Sequence, residues 1–231
     1  EWVLIPGLIE FDAGCDGPYG SAEAYGEQYD KLTEETGKTQ DRSADPPPLR
    51  SVPQERLAEI LEAHRRQMAS DGKEGELADL QGADLRGVDL SGADLRRVNF
   101  RGSDLRNGNL RGANLQEANF WKGNLQGADL QEADLQAAVL MQVSLQRANL
   151  QRANLEGTHL QMADLSQADL EGAILVGTHL EGANLEEAEF QGANLRGACL
   201  QLANLAGASG LTREQIKSAV TDENTRLPAG R

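Results

Sequence analysis

From Leu80 to Leu205 every fifth residue is Leu or Phe, 26 positions without a break. Two residues before each stands a small residue, usually Ala, as at Ala83, Ala93, Ala113, Ala118, Ala128 and Ala133. Between the two comes Asp or Asn in most repeats, as at Asp79, Asp84, Asp94, Asn114 and Asn124, and the remaining two places are polar or Gly. Neither ordinary element fits this period. A strand alternates its side chains and a helix repeats near 3.6 residues, so a strict five smears the leucines around either one. A short exact period held this long calls for a solenoid, in which like units stack and share a core. Asp and Asn bond their own backbone and support turns, and Gly82, Gly87 and Gly92 relax the sterics of bending. The run therefore reads as a continuous series of turns with Ala and Leu pointing inward.

These repeats resemble the pentapeptide-repeat family over residues 77 to 209. The resemblance implies an all-β solenoid: a right-handed, quadrilateral β-helix with short flanking capping helices. Four repeats would make one square coil, filled by the central Leu or Phe and the small residue two before it. Stacked at sheet spacing, six and a half coils would give a rod of about 30 Å. The expected division is a Gly/Pro-rich extended arm (1–50), a helix and link (51–76), the repeat rod (77–209), and a capping helix with tail (210–231).

Composition agrees with a thin core. Only 4% of residues are aromatic while 39% are hydrophobic. Two cysteines, Cys15 and Cys199, are too few for a disulfide framework and leave the compartment open. No apolar run is long enough for a spanning helix. The sequence opens at Glu1 rather than Met, so a removed signal peptide with export, or a cytoplasmic location, both stand. Trp2-Val3-Leu4-Ile5 and the residues up to Ile9 form an apolar opening that packs on the protein, meets a partner or is the cut end of something larger. In the arm, Gly14, Gly17, Pro18, Gly20 and Gly26 punctuate the chain, and Pro46-Pro47-Pro48 closes it stiffly. Tyr19, Tyr25 and Tyr29 are candidates for pinning it.

Helices are expected at both ends of the rod. Ser51 and Gln54 form a candidate capping box, with Leu57, Ile60, Leu61, His64 and Met68 on one side and Gly72 as the stop. His64 reads as a structural histidine. After the rod, Thr212 and Gln215 form a second candidate box, with Leu211, Ile216, Ala219 and Val220 covering the last coil. Gly72-Lys73-Glu74-Gly75 and the tail Thr221 to Pro228 resemble segments of bacterial members of the family. Asp222 and Thr225 read as loop-fixing residues.

Function must lie on the outward positions, since the inward ones are committed to packing. Three of the four Asp/Asn columns stay close to pattern, with Ser144, Glu189 and Ile174 as the main exceptions. The fourth reads Asp79, Asn99, Asn119, Val139, His159, His179 and Cys199. Trp121, Val139, Met141 and Met162 on that face form a candidate apolar patch that either binds a protein partner or packs under the arm. His159, His179 and Cys199 suggest a metal, but stacking sets them in a line whose ends are about 10 Å apart. Zinc ligands must converge within about 2.3 Å of one ion. No metal or cofactor is therefore expected.

The formal net charge is −15. Arginines cluster in the early coils (Arg86, Arg96, Arg97, Arg101, Arg106, Arg111) and glutamates late (Glu156, Glu171, Glu181, Glu186, Glu187, Glu189). Net acidity and the lack of interleaved aromatics argue against nucleic-acid binding. The resemblance brings one further possibility, since some relatives are acidic DNA mimics that bind DNA gyrase. Here a basic end and an unbroken register weigh against that. No Ser-His-Asp, zinc-protease or phosphate-loop pattern supports catalysis, and only a convergence of Asp12, Cys15 and Asp16 on the rod would supply one. The expectation is a non-enzymatic scaffold or interaction module with a protein partner, with oligomerisation open.

Overall fold

The computed structural model describes Cys15 and residues 49–229. The chain divides into two compact units, Glu1–Pro47 and Pro48–Arg231. The expectations for the arm, including its tyrosines, Asp12 and Asp16, lie outside the described residues. The second unit runs β1 (Arg50–Ser51), α1 (Gln54–Ala69), the repeat rod with β2 (Ala83–Asp84) in its first coil, and α2 (Arg213–Ser218).

From Asp79 to Glu189 each residue in the Asp/Asn position forms a parallel bridge with the residue twenty further on, as in Asp79 with Asn99, Asn99 with Asn119 and Asn119 with Val139. Twenty residues make one coil of four repeats, and the bridges form four columns around a right-handed quadrilateral β-helix. Phe100 stacks on Phe120 with ring centroids 4.8 Å apart, the spacing of neighbouring strands.

The repeat is explained bond by bond. The Leu80 N–H donates to Asn99 O at 2.8 Å, and the Asn99 N–H donates back to Ala78 O at 3.1 Å. Between columns the chain turns: Ala83 N–H donates to Leu80 O at 3.1 Å, and the third residue of that turn, Gly82, has φ 62°. The Asp79 carboxylate accepts from the Gln81 N–H at 3.2 Å, and the same bond recurs along the rod, at Asn119 with Trp121 and at Asn149 with Gln151. The side chain thus satisfies a turn donor that would otherwise face solvent or the core. Inside, the central Leu and Phe side chains are essentially fully buried with the alanines beside them. Thr158 and Thr178 replace Ala and remain buried because their hydroxyls donate to Leu135 O at 2.8 Å and Leu155 O at 2.7 Å.

Columns also bond through side chains. Asn99 Nδ2 donates to Asp79 Oδ1 at 2.8 Å, and Asn149 Nδ2 to Asp129 Oδ1 at 3.1 Å. An Asn stacked on an Asp therefore supplies a donor where two aspartates would repel. Asp84 does stack on Asp104. There Arg86 and Arg106 each form a two-nitrogen contact with the aspartate of their own repeat. Burial works to raise the Asp104 carboxyl, but the Arg106 guanidinium and backbone N–H outweigh it and hold it below the usual carboxylate range.

The two caps are built differently. Ser51 is not the N-cap of α1. It pairs with Asp84 as part of β1, and Pro53 occupies the cap without a side-chain bond. Arg50 likewise pairs with Ala83 of the first coil. Val52, Leu57, Ile60 and Leu61 pack against the core. His64 is fully buried, and its Nδ1 accepts from the Ala78 N–H at 3.3 Å. Burial pushes that imidazole below the ordinary histidine range, opposed by Asp94 and reinforced by Arg96. The helix stops at Ala69, before Gly72. A Cβ on Gly75 would collide with Ala63 O, which requires glycine where the link doubles back on α1.

At the other end the Thr212–Gln215 capping box is present in both directions. Gln215 Nε2 also donates to Phe190 O at 3.1 Å and Ala193 O at 2.8 Å, closing carbonyls of the last coil. Val220 and Arg226 extend two columns by pairing with Cys199 and Asn204. The Asp222 carboxylate accepts from the Thr225 hydroxyl at 2.7 Å and the Leu202 N–H at 3.0 Å, so both residues fix the tail.

Candidate functional site

The column from Asp79 to Cys199 and the outward residues that follow it differ from the other three faces. On those faces the first residue after the central Leu is exposed or half-buried, as at Glu156 and Arg196 or at Gln116 and Ser166. On this face Met141, Gln161 and Glu181 occupy the same place and are buried. The turn bonds are unchanged, so the side chains rather than a register shift distinguish it.

The predicted patch separates into parts. Trp121 is half-buried, with the Arg101 guanidinium and the Lys122 ammonium each 4.5 Å from its ring centre. Such cations are attracted to the negative face of the indole. Val139 and Met141 are buried. Met162 is 42% exposed and sits one place further round its turn, at φ 57°. Trp121 is thus half-buried and Met162 exposed, while Val139 and Met141 are packed.

Further along the face, the His159 and His179 rings stack with centroids 4.9 Å apart and planes 9° from parallel. Desolvation, then the neighbouring His179, pushes His159 down to about 4, so the ring is neutral at pH 7. His179 Nδ1 lies 3.3 Å from Glu181 Oε1. His179, Glu181 and Cys199 are buried, and their ligand atoms all lie within 4.8 Å of one another. Sequence reasoning tested His159, His179 and Cys199 as a line and missed Glu181, counting it only in the acidic cluster. The signal was available: Glu181 follows Leu180 as Trp121 follows Phe120, on the same face. Cys15 and Cys199 are both disulfide-bonded.

Elsewhere in the second unit, a groove of about 390 Å³ runs between β1, α1 and the first coil, lined by Arg50, Arg56, Glu59, Leu77 and Asp79 among others. None of the candidate patch residues Trp121, Val139, Met141 and Met162 lines it. Among the described residues, no helix is long and apolar enough to cross a membrane.

The square coil and its five-residue unit define the protein's class, and comparison supplies the family. The model for pentapeptide repeats matches residues 77–112, 93–131, 109–147, 123–161 and 163–201, and the chain belongs to this family. No enzyme family is shown, and the family is generally one of structural or interaction proteins. No curated protein matches the chain. Among solved structures, it is similar to HetL, a pentapeptide repeat protein involved in heterocyst differentiation regulation from the cyanobacterium Nostoc sp. strain PCC 7120. The identity is 34%, over 65% of this chain and 75% of that one, with a TM-score of 0.31. A second is QnrB1, a plasmid-mediated fluoroquinolone resistance protein, at 21% identity over 64% of this chain and 77% of that one, TM-score 0.36. A third is a pentapeptide repeat protein of the Arabidopsis thaliana thylakoid lumen, at 29% identity over 64% of this chain and 80% of that one, TM-score 0.24.

Proposed function

We propose that the chain is a non-enzymatic scaffold or protein-interaction module that meets a protein partner through the face carrying Trp121. The observation that carries this reading is Trp121 itself: a half-buried indole at an outward position, with Arg101 and Lys122 against its ring. Tryptophan and arginine dominate the energetics of protein interfaces because they give large contact area with directional polar groups. Exposed Met162 adds an adaptable apolar contact nearby. Val139 and Met141 act as packed support for this surface.

Capture from extracts of the source cells tests the reading, using the intact chain, Trp121→Ala and Met162→Glu. One partner, identified by mass spectrometry, is expected with the intact chain and at least about tenfold less with either variant, as for loss of an interface anchor. The variants should keep the parent's β-helix circular dichroism. Retention of the same partner by Trp121→Ala overturns the assignment of the face. Recovery of DNA gyrase by all three proteins would replace it with DNA mimicry by the acidic surface.

A further inference from the structure

The buried group on the Cys199 column fits a ligand class that the repeat pattern does not require. His179 Nδ1, a Glu181 carboxylate oxygen and Cys199 Sγ lie within 4.8 Å of one another. Tetrahedral zinc ligands stand roughly 3.2 to 3.8 Å apart, so a closing movement of roughly 1 Å is enough. All three residue types are zinc ligands, and three protein ligands leave one position for water. The His179–Glu181 hydrogen bond alone would explain their 3.3 Å contact, but it leaves the other carboxylate oxygen unaccounted for. Glu181 is only 6% exposed, and its Oε2 has no hydrogen-bond partner among the described residues. Gln161, one coil earlier and 2% exposed, likewise has a buried Oε1 without a partner. Buried acceptors with no donor are costly, and a cation relieves that cost. The stacked His159 ring fixes the plane of His179, as supporting groups do around metal-bound imidazoles.

Cys199 is disulfide-bonded, and a disulfide sulfur lacks the thiolate charge that binds zinc. We propose that His179, Glu181 and Cys199 form a zinc-class metal site that becomes competent when the Cys199 disulfide is reduced. A dithiol reductant supplies two electrons and two protons. The protein S–S bond breaks to give two thiols, and the dithiol closes to its own disulfide. Zinc then displaces the Cys199 thiol proton to solvent and binds the thiolate.

The full chain is titrated with Zn²⁺ by calorimetry, and with Co²⁺ as an optical probe, before and after reduction. A phosphine serves as reductant and is removed before titration, because dithiols themselves chelate zinc. The reduced chain should bind one ion, at least about tenfold more tightly than the oxidised chain, the scale on which even supporting residues act at metal sites. Bound Co²⁺ should show a thiolate charge-transfer band. His179→Ala and the conservative Glu181→Gln should each weaken binding by the reduced chain, and Cys199→Ser should abolish both the band and the redox dependence. Equal affinity in the two redox states, or undiminished affinity of Glu181→Gln or Cys199→Ser, overturns the proposal.

Discussion

At the residue scale, the third residue of every inter-column turn has positive φ, and only half of these positions are glycine. Arg97, Glu132, Ala137, Met162 and Leu202 all take the left-handed conformation. The stacked bonds enforce it, since Ala137 N–H donates to Glu156 O at 3.0 Å while Ala138 N–H closes the turn on Leu135 O at 2.9 Å. A side chain there costs about 1 to 2 kcal/mol, partly offset by the extra freedom glycine loses on folding, about 0.5 to 1 kcal/mol. Ala137→Gly is therefore expected to stabilise the protein by about 0.5 to 1 kcal/mol, measured by denaturant unfolding. A destabilised variant would show that the turn is not the source of strain. The turn role of Asp and Asn was legible in the sequence because the bond is local, two residues along. The ladder of Asn on Asp, and the arginines that separate Asp84 from Asp104, became visible only once residues twenty apart were brought together.

At the element scale, the two helices show when a local signature decides structure. The Thr212 and Gln215 side chains each accept from the other's backbone N–H, so the capping box predicted there forms. Ser51 and Gln54 carry a similar signature, but Ser51 is drawn into pairing with Asp84, and Pro53 takes over the cap. A long-range backbone ladder outweighs a local side-chain bond because it satisfies obligatory backbone groups at the end of the rod. Gln215 has a second duty that no local pattern announces, the donation to Phe190 O and Ala193 O. Gln215→Ala should cost about 1 to 3 kcal/mol, since it removes a cap bond and exposes carbonyls of the closing coil. Hydrogen exchange should then speed up in the last coil first, with the early coils unaffected. Uniform acceleration along the rod would mean that Gln215 is not a local cap.

At the scale of the whole unit, a five-residue code that fixes the interior leaves the faces free to differ, and one of them does. The deviant column was legible because Val139, His159, His179 and Cys199 break the Asp/Asn pattern. What the sequence could not separate was packed from open. Val139 and Met141 carry the same apolar signal as Met162, yet they are buried where Met162 is exposed and Trp121 half-buried. Glu181 was obscured for a related reason: a carboxylate at a variable position reads as solvated until its burial beside His179 is seen. Hydroxyl-radical footprinting of the isolated chain and of its partner complex tests the assignment of this face most directly, because Trp and Met are highly reactive and report their own exposure. Oxidation of Trp121 and Met162 should fall in the complex while that of Ile174, exposed in another column, stays constant. Protection of Ile174 with Trp121 and Met162 unchanged would contradict it.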